Sequence, residues 1–560
     1  MKKTKAALAI TIIGMTACQT AQEPLPPSAG VRDALPPISE KALAGHVETL
    51  SSDAFEGRAP GTAGGAKTRA YLAGEMRRLG LEPLGDSFEH PVTLVSRTLD
   101  TAQSTARVEL GRGFDELSYG PEAIFWSKRA APRISVQGSE VVFVGHGIVA
   151  PEYGWNDYAG IDARGKTVVM LINDPGFRRG GEMFDGRAMT YYGRWTYKYE
   201  EAARQGAEAA IIVHQTDPAS YGWNVIQGSG DTRLDLPRAD GAPRPLAVEG
   251  WITAEQADAL FTAAGVDFEA MEKAASRPGF EPVPLAPLTF SAELFHDSRL
   301  IESANVAGVL RGGDRPDEYV LYTAHWDHLG RDRAAEAAGR DGIYNGAVDN
   351  ATGTAGILAI AESWVEAGLT PRRSHLFVAV TAEESGLLGS KAFASAPPVP
   401  LADIIGGINI DAMLPTGPQR DLTVVGYGAS ELEDILREVA AAKGQSLSPD
   451  PSPEAGYFYR SDHVEFAKRG VPMLYVDGGT DLVEGGVEAG RAAEAAYRAD
   501  AYHAVGDDYN PDTWRFDGIA ATLTTLRDVG AVLSEDNVEP NWYPGNEFRA
   551  IRDAQRRPSD

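Results

Sequence analysis

One short segment limits what this chain can fold into more than any other. Residues 318–324 are mostly apolar and rich in β-formers, and they run directly into His325-Trp326-Asp327-His328-Leu329-Gly330. A buried strand that ends in a His-x-Asp pair is a common way for an open α/β sheet to present a site at its carboxyl edge. Beyond residue 305 the pattern repeats as strand, loop, helix. Strands are expected over 318–324, 375–380, 404–410, 421–425 and 471–476, and helices over 354–367, 390–394, 430–443 and 518–533. That alternation predicts a doubly wound mixed α/β sheet with helices on both faces.

At 560 residues the chain is too long for a single core. Its net charge of −27 argues against a nucleic-acid partner. Lys2, Lys3 and Lys5 precede a short apolar run and then Met15-Thr16-Ala17-Cys18. This is the layout of a signal peptide over 1–18. The small residues before Cys18 resemble a bacterial lipoprotein signal, with Met15 where Leu is usual. Cys18 is the only cysteine, which excludes an intramolecular disulfide and a Cys-ligated zinc site. It is read as a lipid acceptor. The expectation is an exported chain, a lipoprotein on the periplasmic side of the outer membrane or a surface or secreted protein, touching membrane only through that lipid.

Residues 19–38, rich in Pro, Ala and Ser, read as a flexible tether, and 541–560 as a C-terminal tail. Helices are expected over 39–50 and 66–79, the second stopped by Gly80. Between them Glu56-Gly57-Arg58 lies in a Gly/Pro-rich segment that by itself reads as an ordinary polar loop. Residues 95–299 differ in texture, with short β-runs at 140–144, 166–172 and 209–213 and a helix over 197–205. His146 and His214 stand isolated there and read as loop or core residues.

Acidic residues recur where strands end: Asp327, Asp349 in Asn345-Gly-Ala-Val-Asp349-Asn350, Glu383-Glu384, and Asp411. His503 follows in a loop before the last helix. Imidazole with carboxylate and no thiolate suits zinc, or cobalt or manganese. Three carboxylates and two imidazoles exceed one tetrahedral ion with an open position. They fit two ions about 3.5 Å apart with one carboxylate bridging. Neighbouring Glu383 and Glu384 point opposite ways on an extended backbone, so Glu384 is expected as ligand and Glu383 as general base. Asp327 is expected to accept the other N–H of the His325 imidazole. His328 and His375 read as structural.

These motifs resemble those of the M28 family of zinc aminopeptidases. The resemblance rests on His325-Trp-Asp327-His-Leu-Gly330, Asn345 to Asn350, Thr381-Ala-Glu383-Glu384-Ser-Gly-Leu-Leu-Gly-Ser390, Ile408-Asn-Ile-Asp411, Tyr502-His503, and upstream Glu56-Gly-Arg58 with Pro60-Gly-Thr62. It implies two Zn2+ per chain, His325 and Asp411 on one, Glu384 and His503 on the other, Asp349 bridging, and Glu383 as base. It also implies a catalytic domain from 39–94 and 300–540, with 95–299 as an insert containing a mostly-β protease-associated (PA) domain. Val141 to Ile148 and Gly165 to Ile172 look like that insert. The long charged loop 331–344 departs from the family pattern. Tyr459 and Arg460 fall in a region that lines the substrate side in the family.

The expected activity is removal of N-terminal residues from peptides by metal-activated water. A carboxypeptidase or dipeptidase, or a glutaminyl-cyclase-like enzyme, is the alternative on the same scaffold. A catalytically inactive binding protein is a third reading, which retention of all five ligands disfavours.

Overall fold

The computed structural model describes residues 27–556, apart from 111–112, 182, 229 and 239–240. The basic–apolar segment, Cys18 and residues 19–26 lie outside the described residues. Among the described residues no helix is long and apolar enough to cross a membrane.

Two sheets share one long strand, Val283–Leu310. Its first half pairs with Thr105–Leu110 and Arg133–Phe143 in the insert. Its second half pairs with Glu89–Leu99, then with Arg373–Val380, in the main sheet. The centre of the main sheet is four parallel strands in the order Met473–Gly478, Ile404–Asn409, Arg315–His325, Arg373–Val380. Antiparallel strands flank it, Asp421–Val425 on one side and Val283–Leu310 on the other.

Parallel strands need both faces covered, and side chains alternate between the faces. Tyr322 and Ala324 pack with Leu43, Met76, Ile357, Leu436 and Leu523 from the helices Glu40–Leu50, Ala63–Arg78, Gly353–Ala367, Leu432–Ala442 and Phe516–Glu535. Leu321 and its neighbours Val378 and Met473 pack on the opposite face with Phe393, Phe466 and Trp542. The sheet is therefore doubly wound, as the alternation of motifs predicts.

Two expected boundaries do not hold. Residues 27–38 are not tether: Pro27–Ala34 is a helix, Ser28 bonds Asp536 through both backbone and hydroxyl, and Leu35 and Ile38 are buried. Nor are 541–556 a tail. Trp542 is fully buried and donates to the Gly470 carbonyl at 3.1 Å, and the buried Arg552 donates to Ile404 at 2.8 Å. Composition signals flexibility poorly where a few apolar residues find a groove.

The insert has its own core on each side of its sheet. Arg133–Phe143, Thr167–Leu171, Ala209–His214 and Val248–Thr253 run parallel at its centre. Helices Trp195–Arg204 and Ala254–Ala263 supply residues to opposite cores, so the insert is more helical than its short β-runs suggest.

His375 is a structural residue in the main sheet. Its ring stacks against Tyr322 and Phe377 and meets Trp364, and neither ring nitrogen has a hydrogen-bond partner. Burial holds its pKa at about 3, whereas an unfolded imidazole titrates near 6.5. The unfolded chain binds the proton first. This contribution is therefore intact above about pH 6.5 and is lost as pH falls from there towards 3. His375→Phe should flatten the fall in urea midpoint between pH 7 and pH 5; an unchanged pH slope refutes this.

Candidate metal centre

The site lies where the central strands end. Strand Arg315–His325 delivers His325 to the carboxyl edge, and the helix Gly353–Ala367 fixes it there, because Thr354 Oγ1 donates to the His325 carbonyl at 2.8 Å. Asn350 ties two ligand loops together. Its amide donates to Ile410 O at 3.1 Å, and its Oδ1 accepts from Gly353 N at 2.8 Å and Ala412 N at 3.2 Å. Gly353 must lack a Cβ here, since one would stand 2.3 Å from Asn350 Oδ1 and 2.4 Å from the Ile410 carbonyl.

The five expected ligands converge. His325 Nε2 lies 3.1 Å from Asp349 Oδ1 and 3.2 Å from Asp411 Oδ1. His503 Nε2 lies 3.3 Å from Asp349 Oδ2 and 3.1 Å from Glu384 Oε2. Asp349 thus turns one oxygen to each imidazole. Glu383 lies within ligand range of His325 and Glu384. The two halves differ in cover. His325 is wholly buried, whereas the His503 side chain is 39% exposed, has a positive φ of 56°, and carries the Tyr502 ring stacked at 4.0 Å.

Around this ring stands a layer of hydrogen bonds. Ser461 Oγ donates to Asp411 Oδ2 at 2.6 Å and accepts from Asn409 Nδ2 at 2.7 Å. Asp507 accepts the N–H groups of Val348 (2.9 Å) and Asp349 (3.0 Å). His328 Nδ1 pairs with Glu384 Oε1 at 2.6 Å, so it stands beside Asp349 and Glu384 as a possible donor of its own. Neither Asp507 nor this use of His328 was legible from spacing. The one available signal was position: His328 sits within the motif that begins at His325, and Asp507 four residues after His503.

Arg58 is the largest surprise of the upstream segment. Its buried guanidinium donates to four carbonyls: Trp326 (2.9 Å), Leu50 (2.9 Å), Asn345 (2.5 Å) and Gly346 (2.8 Å). It clamps the loop after His325 to the loop before Asp349, so the reading as an ordinary polar loop fails. Gly57 has φ 65°, and a Cβ on it would lie 2.3 Å from the Gly330 carbonyl.

Two expected roles are corrected. The His325 Nδ1–H donates to the backbone carbonyl of Asp327 at 3.1 Å, while the Asp327 carboxylate is 3.9 Å away. That carboxylate instead accepts the Glu383 N–H at 3.1 Å, so it fixes the Glu383 backbone rather than the imidazole. Tyr459 is turned away, its hydroxyl donating to Glu547 at 2.8 Å and its ring lying against Tyr191 of the insert. Arg460 is also engaged elsewhere, its guanidinium donating to the Ala219 carbonyl at 3.3 Å and lying over the Tyr221 and Tyr457 rings.

Negative charge dominates. Burial raises the Glu383 carboxyl well above its ordinary range and lifts Asp327 to about 6. Burial would lower His325, but Asp411 and Glu383 outweigh it and raise the imidazolium well above its usual value. A set of two imidazoles and three carboxylates facing one space, with Asp349 shared, fits N/O-ligated divalent cations. Cations would offset the repulsion that otherwise opposes such clustering.

The chain has a mixed α/β fold. It aligns with an aminopeptidase from Aneurinibacillus sp. strain AM-1 at TM-score 0.51 and 17% identity, over 91% of this chain and 97% of that one. Residues 305–525 match the model of Peptidase family M28. Among curated relatives, Aminopeptidase NAALADL1 of Rattus norvegicus is 35% identical over 122 residues, 21% of this chain and 14% of its own length. Probable glutamate carboxypeptidase AMP1 of Arabidopsis thaliana is 24% identical over 345 residues, 59% of this chain and 45% of its own. The chain thus spans less than half the length of either.

Arg58→Met should leave four buried carbonyls unpaired and cost about 3 kcal/mol or more. Urea unfolding reads the loss, and metal titration should show weakened binding at the His325 side. A variant as stable as wild type refutes the clamp.

Proposed function

We propose that the chain is a zinc-dependent exopeptidase that removes N-terminal residues from peptides, with a two-ion centre. The observation that carries this reading is the division of Asp349, one oxygen facing His325 and Asp411, the other His503 and Glu384. His325 and Asp411 would hold one ion, Glu384 and His503 the other, and Asp349 both. Zinc held there polarises a carbonyl and lowers the pKa of water.

The chain's own residues do the rest. Glu383 takes a proton from the attacking water on a carboxylate oxygen and returns it to the nitrogen of the leaving amine. Its buried position suits this: burial raises the carboxyl's affinity for a proton and makes it a stronger base than an exposed carboxylate. Asp327, through the Glu383 N–H, fixes the backbone from which that side chain projects. Ser461 and Asn409 hold the second oxygen of Asp411 and so keep its first oxygen turned towards His325. Acidic groups around the centre favour a substrate with a free α-amine.

We read the insert as a protease-associated module, and the chain as an exported lipoprotein acylated at Cys18. Labelled palmitate incorporated by the wild type and lost in Cys18→Ser would support the latter.

Metal analysis should return near two zinc ions per chain. Glu383→Gln should keep both ions and the fold while turnover falls by about 10²–10⁴-fold. Retained turnover would remove Glu383 from the reaction. Equal cleavage of free and N-blocked peptides would overturn the aminopeptidase reading.

A further inference from the structure

The place where the chain enters the fold bears on which way the metal centre faces. Ser28 bonds Asp536 twice, its backbone N–H to Oδ1 at 3.0 Å and its hydroxyl to Oδ2 at 2.7 Å. Asp536 directly follows the helix Phe516–Glu535. That end of the helix is tied to the amino ends of the central strands. Arg373, the first residue of its strand, donates to Leu533 O at 2.5 Å and to Asp536 O at 2.9 Å. Arg315, the first residue of the strand that delivers His325, donates to Asn537 Oδ1 at 3.1 Å. The point of entry is therefore the amino edge of the main sheet.

The metal centre lies at the opposite edge, and the same helix measures the separation. Its first turn is tied there, because Arg515 N donates to Pro415 O at 3.2 Å, four residues beyond Asp411. A helix of 20 residues separates its two ends by about 30 Å. From Ser28 the chain follows this helix back towards the site. Arg527 Nη1 donates to Pro36 O, then Ile38 N to Thr524 Oγ1 at 3.5 Å, and the segment ends with Arg58 among the loops of the centre. The insert also stands on the far side. Val306 pairs with Ala379, so the earlier part of the strand Val283–Leu310 runs on past the carboxyl end of Arg373–Val380.

Charge gives the amino edge no strong pull of its own. Arg372 pairs with Asp314 at 3.1 Å and Arg315 with Glu318 at 3.4 Å, so both signs are present and largely offset. Attachment, rather than charge, is what can orient this molecule.

We propose that the amino edge of the main sheet is the face turned to a lipid bilayer, with the metal centre and the insert turned to the aqueous side. This inference rests on the reading of Cys18 as the acylated residue. Residues 19–26 join Cys18 to Pro27, and a backbone of that length reaches at most about 30 Å. Turning the metal centre to the lipid means lifting the entry point away by the full length of the helix Phe516–Glu535, again about 30 Å. That orientation demands a fully extended link, which forfeits the link's conformational freedom. With the amino edge against the lipid, the link keeps it. Peptides then reach the metal centre from solution, unobstructed by the bilayer.

The test uses the zinc-loaded chain from Cys18 onward, its lone thiol coupled to a maleimide phospholipid in phosphatidylcholine vesicles that also hold acceptor-dye lipids. A donor dye is attached through an azide-bearing residue at Asp317, exposed at the amino end of the His325 strand, or at Ala338, exposed in the loop between His328 and Asn345. Energy transfer should place the dye at 338 at least about 20 Å farther from the lipid than the dye at 317. Equal distances, or the reverse order, overturn the proposal. Asp536→Ala combined with Leu35→Gln should release the segment at 27–38, lengthen the link and shrink that difference to less than half. A difference unchanged in this variant would also overturn it, because the Ser28–Asp536 contact would then not set the orientation. Chemical coupling makes these results independent of acylation in the cell. Failure to incorporate palmitate at Cys18 is a separate outcome, which sinks the lipoprotein reading and not the geometry.

Discussion

Crowded negative charge is the constraint that organises this molecule. Asp327, Asp349, Glu383, Glu384 and Asp411 converge with His325, His328 and His503 in a space mostly closed to water. Carboxylates this close repel, and burial removes the water that would screen them. The protein answers with directed hydrogen bonds: Ser461 on Asp411, the Glu383 N–H on Asp327, His328 on Glu384. Arg58 adds a buried positive charge that also ties the surrounding loops by their carbonyls. Divalent cations fit what remains.

The second organising element is the strand Val283–Leu310. A single rod through two sheets sets the insert at a fixed place relative to the catalytic edge. That is why Met189 and Asn173 meet the loop at 453–454. An insert hung on a loose linker would give no such register. The same docking removes Tyr459 from the site, because its ring and hydroxyl are taken by Tyr191 and Glu547.

Much of the main sheet was legible because parallel strands buried on both faces read as apolar runs, and the ligand residues stand where those runs stop. Asp349, Glu384 and Asp411 could be picked out for that reason, and His503, in a loop before the last helix, through the Tyr502-His503 motif. The role of Asp327 was misread from the same spacing. A residue two positions from a histidine offers both a carboxylate and a carbonyl, and only the turn geometry shows that the carbonyl reaches Nδ1. Residues 27–38 and 541–556 were misread because Pro, Ala and polar residues suggest a loose chain. Trp542 and Leu35 instead fill gaps that other parts of the sequence create.

What the sequence determined by itself was chemistry attached to local pattern: strand ends rich in His and acid, a lone cysteine behind a basic–apolar start, a change of texture between two halves of one domain. These depend on neighbours along the chain. Tertiary structure alone decided how Asp349 divides its oxygens and why Glu56-Gly57-Arg58 matters. Each of these is a contact between residues from distant parts of the chain. Periodicity and composition carry no record of such a distance, since it is set by sheet register and by the docking of the insert.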